Sequence, residues 1–233
     1  MADENVQTDL ELKAEISLYY DLYIPENISM PAGLLIAVHG YGMNKRYMMR
    51  EAQKIAPENF VVVSLQGPHQ HFQRTGDNFK IGFAWLTDYK TDEYIRLHHQ
   101  FILDVIEKLA DEGVADTKQI YLYGFSQSSS LNFRFAFTYP EILKGVISVC
   151  GAIPSDLDTN PVYADSFNGQ TLYLYSSDDE FYPLEKFRTF DEKLRVRLPN
   201  YRSKEYEAKH EITDEMRDEM RAFLDINAGS LRT

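Results

Sequence analysis

With 233 residues and a formal net charge of -12, the chain is long enough to bury a substantial core. It is too acidic to suit nucleic acid or an anionic membrane surface, both of which call for basic residues. Its single cysteine, Cys150, excludes an internal disulfide and, at the end of the apolar run 146–150, reads as a small buried hydrophobe.

The chain opens on the acidic stretch 1–5, which has neither a basic nor an apolar leader signature, and no apolar run reaches the length of a membrane span. The cytoplasm is therefore the expected compartment. Repeats, low-complexity tracts and long linkers are absent, so one domain is expected over residues 1–233, with 1–10 as a flexible N-terminus. The run from Leu18 to Ile24, closed by Pro25, suits one or two antiparallel edge strands. From Gly33 onward, buried strands alternate with amphipathic helices. Leu34–Val38 is a strand, Arg46–Ala56 a helix stopped by Pro57, and Val61–Leu65 the next strand.

Residues 67–90 read as a long irregular stretch rich in Gly, His, Gln and aromatics, of the kind that tends to carry function. The next helix is marked by a stripe through Ile95, His98, His99, Ile102, Val105, Ile106 and Leu109. Asp92 and Glu93 lie in its first turn, where the helix dipole favours anions, and Gly113 ends it. A strand ending at Phe125, a helix over 127–139 and a strand over 146–150 follow. The segment 151–168 is irregular. Thr171–Tyr175 is a strand, residues 184–195 a helix, and Arg202–Glu207 the last strand. The closing helix, with Thr213 as its N-cap, places Met216, Met220, Phe223 and Ile226/Asn227 on one face. This alternation predicts an α/β fold with a mostly parallel central sheet covered by helices on both faces.

Chemistry in such sheets collects beyond the carboxyl ends of the strands, and three strand ends here carry reactive groups. Gly124-Phe125-Ser126-Gln127-Ser128 follows one strand and opens a helix, as a nucleophile elbow requires. Asp178 and Asp179 follow another strand, and His210 sits between the last strand and the last helix. A serine hydroxyl needs a base to take its proton, and a carboxylate on the other nitrogen fixes that histidine. The chain order serine, acid, histidine is that of α/β-hydrolases. Val38-His39-Gly40-Tyr41-Gly42 forms an H-G-x-G turn that can aim a backbone N–H at the nucleophile, where it would join the N–H of Gln127 around an oxyanion. His39 reads as holding that turn.

These residues resemble the phospholipase/carboxylesterase group of α/β-hydrolases, which includes the acyl-protein thioesterases. The turn at 38–42 is similar to the family's L-H-G-x-G. Residues 82–88 are similar to its aromatic W-[FY]-D segment, and Gly124-Phe125-Ser126-Gln127 matches the start of its G-F-S-Q-G-G elbow. Asp179-Glu180-Phe181-Tyr182-Pro183 is similar to its D-x-x-V-P. The resemblance runs from about 33 to 225. It implies an α/β-hydrolase fold and an esterase or thioesterase activity that needs no metal or organic cofactor. It also implies Ser126, Asp179 and His210 as the triad, with backbone donors at Tyr41 and Gln127. The chain departs from the family in three places. Ser128-Ser129 replaces paired glycines, which would set the elbow helix slightly farther from its neighbours. Tyr175-Ser176 replaces His-Gly, and Lys209 replaces a small residue.

The expected partner is a small-molecule acyl ester or thioester, with neither nucleic acid nor stable membrane insertion; the oligomeric state stays open, a dimer included. Trp85, Phe72 and Phe83 are the expected pocket-lining aromatics, against the alternative that they pin the long loop to the core. His69 and His71 have metal-ligand spacing, but no Cys or second His pair supports a metal site. A peptidase or a feruloyl or acetyl esterase on the same triad, and a non-hydrolytic ligand-binding protein of this fold, remain alternatives.

Overall fold

A seven-stranded sheet crosses the computed structural model, which describes residues 6–228. The chain forms β1 (Tyr20–Tyr23), β2 (Ala32–Val38), α1 (Lys45–Ile55) and β3 (Phe60–Leu65), then a hairpin of β4 (His69–Thr75) and β5 (Asn78–Ala84). It continues through α2 (Thr91–Asp111), β6 (Ala115–Phe125), α3 (Gln127–Thr138) and β7 (Gly145–Val149). It ends with β8 (Gln170–Ser176), α4 (Leu184–Arg197), β9 (Tyr201–Tyr206) and α5 (Asp214–Ala228). The spatial order is β1-β3-β2-β6-β7-β8-β9. Only β1 is antiparallel, pairing with β3 at the edge. This is the expected α/β-hydrolase arrangement. The N-terminus expected to be flexible lies outside the described residues at 1–5, and 6–19 run without helix or strand.

The strand sequences explain the layering. Every residue of β2, β3 and β7 is buried, as near-continuous apolar runs in a parallel sheet covered on both faces must be. Right-handed crossovers send β2–α1–β3 one way along the sheet and β3–α2–β6, β6–α3–β7 and β8–α4–β9 the other, so α1 and α2 to α4 cover opposite faces. Helix α5 packs on α1, and α2 on α3. The direction of winding reverses between β2 and β6, and the crevice beyond their carboxyl ends is where ligands bind in such sheets. Their register pairs Val38 with Gly124, so the 39–41 turn and Ser126 emerge side by side.

Two expectations are corrected. Residues 67–90 are not an irregular loop: the hairpin occupies 69–84, with Thr75 opposite Asn78 around a Gly76-Asp77 turn. Gly-Asp is a two-residue hairpin signal, but most side chains on both strands are exposed or half-buried, so no apolar alternation marks them. On α5, Met216, Met220 and Phe223 are buried as expected, whereas Ile226 is 64% exposed. At 100° per residue it has turned roughly 80° away from Met216. Thr213 caps this helix, its Oγ1 accepting the Met216 N–H at 3.3 Å. Cys150 is buried, and burial pushes its thiol up to about 12, which keeps it protonated and unreactive. No helix among the described residues is long and apolar enough to cross a membrane.

Candidate active site

Strand β6 ends in the crevice, and the chain turns on one residue into α3. Ser126 sits at φ 58°, ψ −118°, a strained conformation for a residue with a side chain. Its N–H donates to Val149 O on β7 at 2.9 Å, which holds the turn. A sharp elbow of this kind lifts the hydroxyl out of the sheet and aims the N-terminus of α3 at it.

Residues from the segments that follow β8 and β9 complete the arrangement. His210 Nε2 lies 2.8 Å from Ser126 Oγ, and His210 Nδ1 lies 2.6 Å from Asp179 Oδ2. The Asp179 side chain is wholly buried. Its Oδ1 accepts the N–H groups of Phe181 at 2.8 Å and Tyr182 at 3.0 Å, so both carboxylate oxygens are engaged. Asp178, the other acid that the sequence pattern allowed, is exposed, and its backbone N–H donates to Ala208 O in the histidine loop at 3.1 Å. Glu180 adds a contact that the sequence did not suggest: its Oε2 accepts the His210 N–H at 2.9 Å. That bond, with the nearby Lys209 and His210, holds the Glu180 carboxyl below its usual range. Lys209, a departure from the family pattern, lies 3.9 Å from Glu180 Oε1. The imidazole packs between the rings of Phe125 and Phe181, at 4.9 and 4.7 Å between centroids.

The 39–43 turn lies against the elbow so closely that a side chain at Gly40 would bring its Cβ to 3.0 Å from Phe125 O and 3.1 Å from Ser126 Cβ. The N–H groups of Tyr41 and Gln127 donate to no acceptor among the described residues, which leaves both free for a developing oxyanion. His39 is fully buried, and its Nε2 faces the Gly67 N–H at 2.9 Å and Gln66 Nε2 at 3.0 Å. With Nε2 accepting, Nδ1 carries the proton and donates to Gly40 O at 2.8 Å. Burial lowers its pKa to about 4, so a neutral ring holds the turn at neutral pH. Trp85 Nε1 donates to His39 O at 3.0 Å. The Gln127 side chain, which sequence reasoning missed, clamps the same segment: Oε1 accepts from Trp85 N at 2.9 Å and Nε2 donates to Leu86 O at 3.1 Å.

A cleft of about 370 Å³ opens over Ser126 and His210, lined by Tyr41, Met43, Phe125, Ser130, Ala152, Phe181 and Tyr182, with Gln127. The three aromatics expected to line it do not. Trp85 is buried beneath the turn, and Phe83 is half-buried with its backbone bonded to Gly42 and Met43. Phe72 is 79% exposed on the hairpin, edge-on to Phe79. The aromatics that line the cleft are Tyr41 on the turn, Phe125 at the end of β6, and Phe181 and Tyr182 just after the acid; their places beyond the carboxyl ends of strands are the signal that marks them. His69 contacts Tyr94, and His71 stacks on Tyr41. Among the described residues no group of three or more His, Cys, Asp or Glu side chains is placed to hold a metal ion.

His98 and His99 are buried, not on the surface, against Trp85 and Phe135. Burial lowers His99 to about 4 and takes His98 well below its usual value. With His39, these rings bind fewer protons folded than unfolded, so their contribution is fully present above the unfolded value of 6.5. It is lost as pH falls from there toward 4, at most about 3 kcal/mol for each of His39 and His99. Urea unfolding at pH 7.5 and pH 4.5 is expected to show this loss, and His99→Phe to show a smaller one. An unchanged pH dependence in the variant would refute the assignment.

The sequence matches the family described as Phospholipase/Carboxylesterase over residues 21–228. A search of the curated proteins finds no match. Among solved structures, the chain is similar to esterase PE8, with a TM-score of 0.72, 21% identity, and coverage of 91% of this chain and 99% of that one. It is similar to the Bacillus cereus carboxylesterase at TM-score 0.70 and 15% identity, covering 90% and 94%. For Zea mays acyl-protein thioesterase 2 the TM-score is 0.67, the identity 12% and the coverage 90% and 98%.

Proposed function

The chain belongs to the phospholipase/carboxylesterase family, a family of esterase-type hydrolases, and from that premise we propose that it is a serine hydrolase cleaving small carboxylic esters or thioesters through an acyl-serine intermediate. The observation that carries this reading is the unbroken hydrogen-bond line Asp179–His210–Ser126 at the mouth of an apolar cleft.

In the first half-reaction, Ser126 Oγ attacks the acyl carbonyl while His210 Nε2 takes its proton. Asp179 accepts from Nδ1–H and so holds the ring with Nε2 free, and it stabilises the imidazolium. The Tyr41 and Gln127 N–H groups receive the oxyanion. Collapse expels the alcohol or thiol, which leaves with the proton from Nε2. Water then attacks the acyl-serine with His210 as base, and release of the acid restores Ser126. Each of these steps uses protein groups and water alone. The site is read as acting in the cytoplasm, on the acidic charge and the single unpaired cysteine.

The cleft, about 370 Å³, lies at the small end of the roughly 300–1,000 Å³ range of small-molecule sites. Short acyl chains are therefore expected to be preferred. In a series of p-nitrophenyl esters, kcat/KM should peak at acetyl to hexanoyl and fall at least about tenfold by palmitoyl, since surplus methylenes find no apolar surface to bury. A fluorophosphonate probe should label Ser126. A rising trend to palmitoyl would overturn the size assignment, and failure of the probe to react would overturn the hydrolase reading.

A further inference from the structure

We propose that Ser128 is a positioning residue for the oxyanion hole, its hydroxyl setting the spacing between the two N–H donors. The proposal rests on the reading of Ser126 as nucleophile and of Tyr41 and Gln127 as donors.

Strands β2 and β6 are in register down to Val38 and Gly124. Beyond that pair they part, one into the 39–41 turn that carries the Tyr41 N–H and the other into the elbow that carries Ser126. The Ser128 hydroxyl bridges the ends of the two strands. It is fully buried, accepts the Phe125 N–H at 2.9 Å and lies 2.7 Å from Val38 O. Phe125 O is farther, at 3.0 Å, so the single hydroxyl proton goes to Val38. One oxygen in the first turn of α3 thereby joins β2, β6 and the helix bearing the Gln127 N–H. A glycine at this place has no atom to do so.

Both serine side chains sit in space that facing glycines leave open. The Ser129 side chain occupies space left by Gly151, where an added Cβ would stand 2.2 Å from Ser129 Oγ and 2.4 Å from Ser126 O. The Ser128 Oγ likewise lies close to Gly124, 3.0 Å from where a Cβ there would be. Where the family packs glycines closely, this chain uses a hydroxyl strut. The strut is buried, does not line the cleft and bonds only to Phe125 and Val38 among the described residues, so it would act through the place it gives the two N–H groups.

The test is Ser128→Ala in the full-length protein, assayed with p-nitrophenyl acetate and a trifluoromethyl ketone that forms an oxyanion-like adduct on the nucleophile. A misplacement of about 1 Å caused by a change away from the chemistry can cost about 100-fold in rate. The expected result is a kcat lower by about 10- to 100-fold with KM within threefold, and ketone binding weakened in step. The acid limb of the kcat/KM profile should not move, because His210 and Asp179 are untouched. Ser128→Thr, which keeps the hydroxyl, should recover most of kcat. If kcat and ketone affinity in Ser128→Ala stay within twofold of wild type while only thermal stability falls, Ser128 is merely structural and the proposal fails. Should Ser128→Ala not fold, Ser128→Cys, similar in size but a weak hydrogen-bonding group, decides by the same ratio of kcat to KM. An inert wild type, or a Ser126→Ala variant that retains activity, would instead sink the underlying reading.

Discussion

Ser126→Ala is expected to lower kcat/KM for p-nitrophenyl acetate by about 10⁴-fold or more while leaving the thermal unfolding transition close to wild type. The two halves of this expectation come from different atoms. Among the described residues the hydroxyl's hydrogen-bond partner is His210 Nε2 at 2.8 Å, so its loss would remove the proposed nucleophile from the proposed base. The backbone of the elbow is held independently, by the Ser126 N–H to Val149 O at 2.9 Å and by the Ser128 hydroxyl. Alanine meets the same steric cost at φ 58° as serine does. Steady-state kinetics beside a melting curve check both halves, and activity within tenfold of wild type would end the case for Ser126 as nucleophile.

The second large effect separates two adjacent acids. Asp179→Asn should reduce kcat by about 10³- to 10⁴-fold, whereas Asp178→Asn should stay within about twofold, as an exposed surface change does. An amide at 179 can still accept the Phe181 and Tyr182 N–H groups that Oδ1 now receives, so the loop keeps its shape. Its NH₂, however, would face His210 Nδ1 at the 2.6 Å contact and favour the tautomer with the proton on Nε2, where it cannot take one from Ser126. The opposite ranking of the two variants would transfer the role to Asp178.

Much of this site could be read from the chain. The elbow at Ser126, the turn at His39-Gly40 and the histidine at 210 each lie at the junction of a strand with a turn or helix. Those junctions are written locally, in apolar runs, glycines and helix starts. The hairpin was illegible because its strands expose side chains on both faces, so its sequence shows no period. Glu180 and the Gln127 amide were illegible for another reason: their partners, the His210 N–H and the Trp85–Leu86 backbone, are distant in the chain.

By itself, then, the sequence determined the alternation of strands and helices and the order in which serine, acid and histidine arrive, because both depend on local periodicity and on strand ends. Between the two neighbouring aspartates the strand-end pattern left the choice open, and only the resemblance pointed to Asp179. Tertiary structure alone decided which aromatics line the cleft, what Glu180 and the Gln127 amide reach, and what Ser128 holds together. Those outcomes depend on strand register. Ser126 and His210 are separated by 84 positions and meet only because β6, β7, β8 and β9 lie side by side with their carboxyl ends at one edge of the sheet.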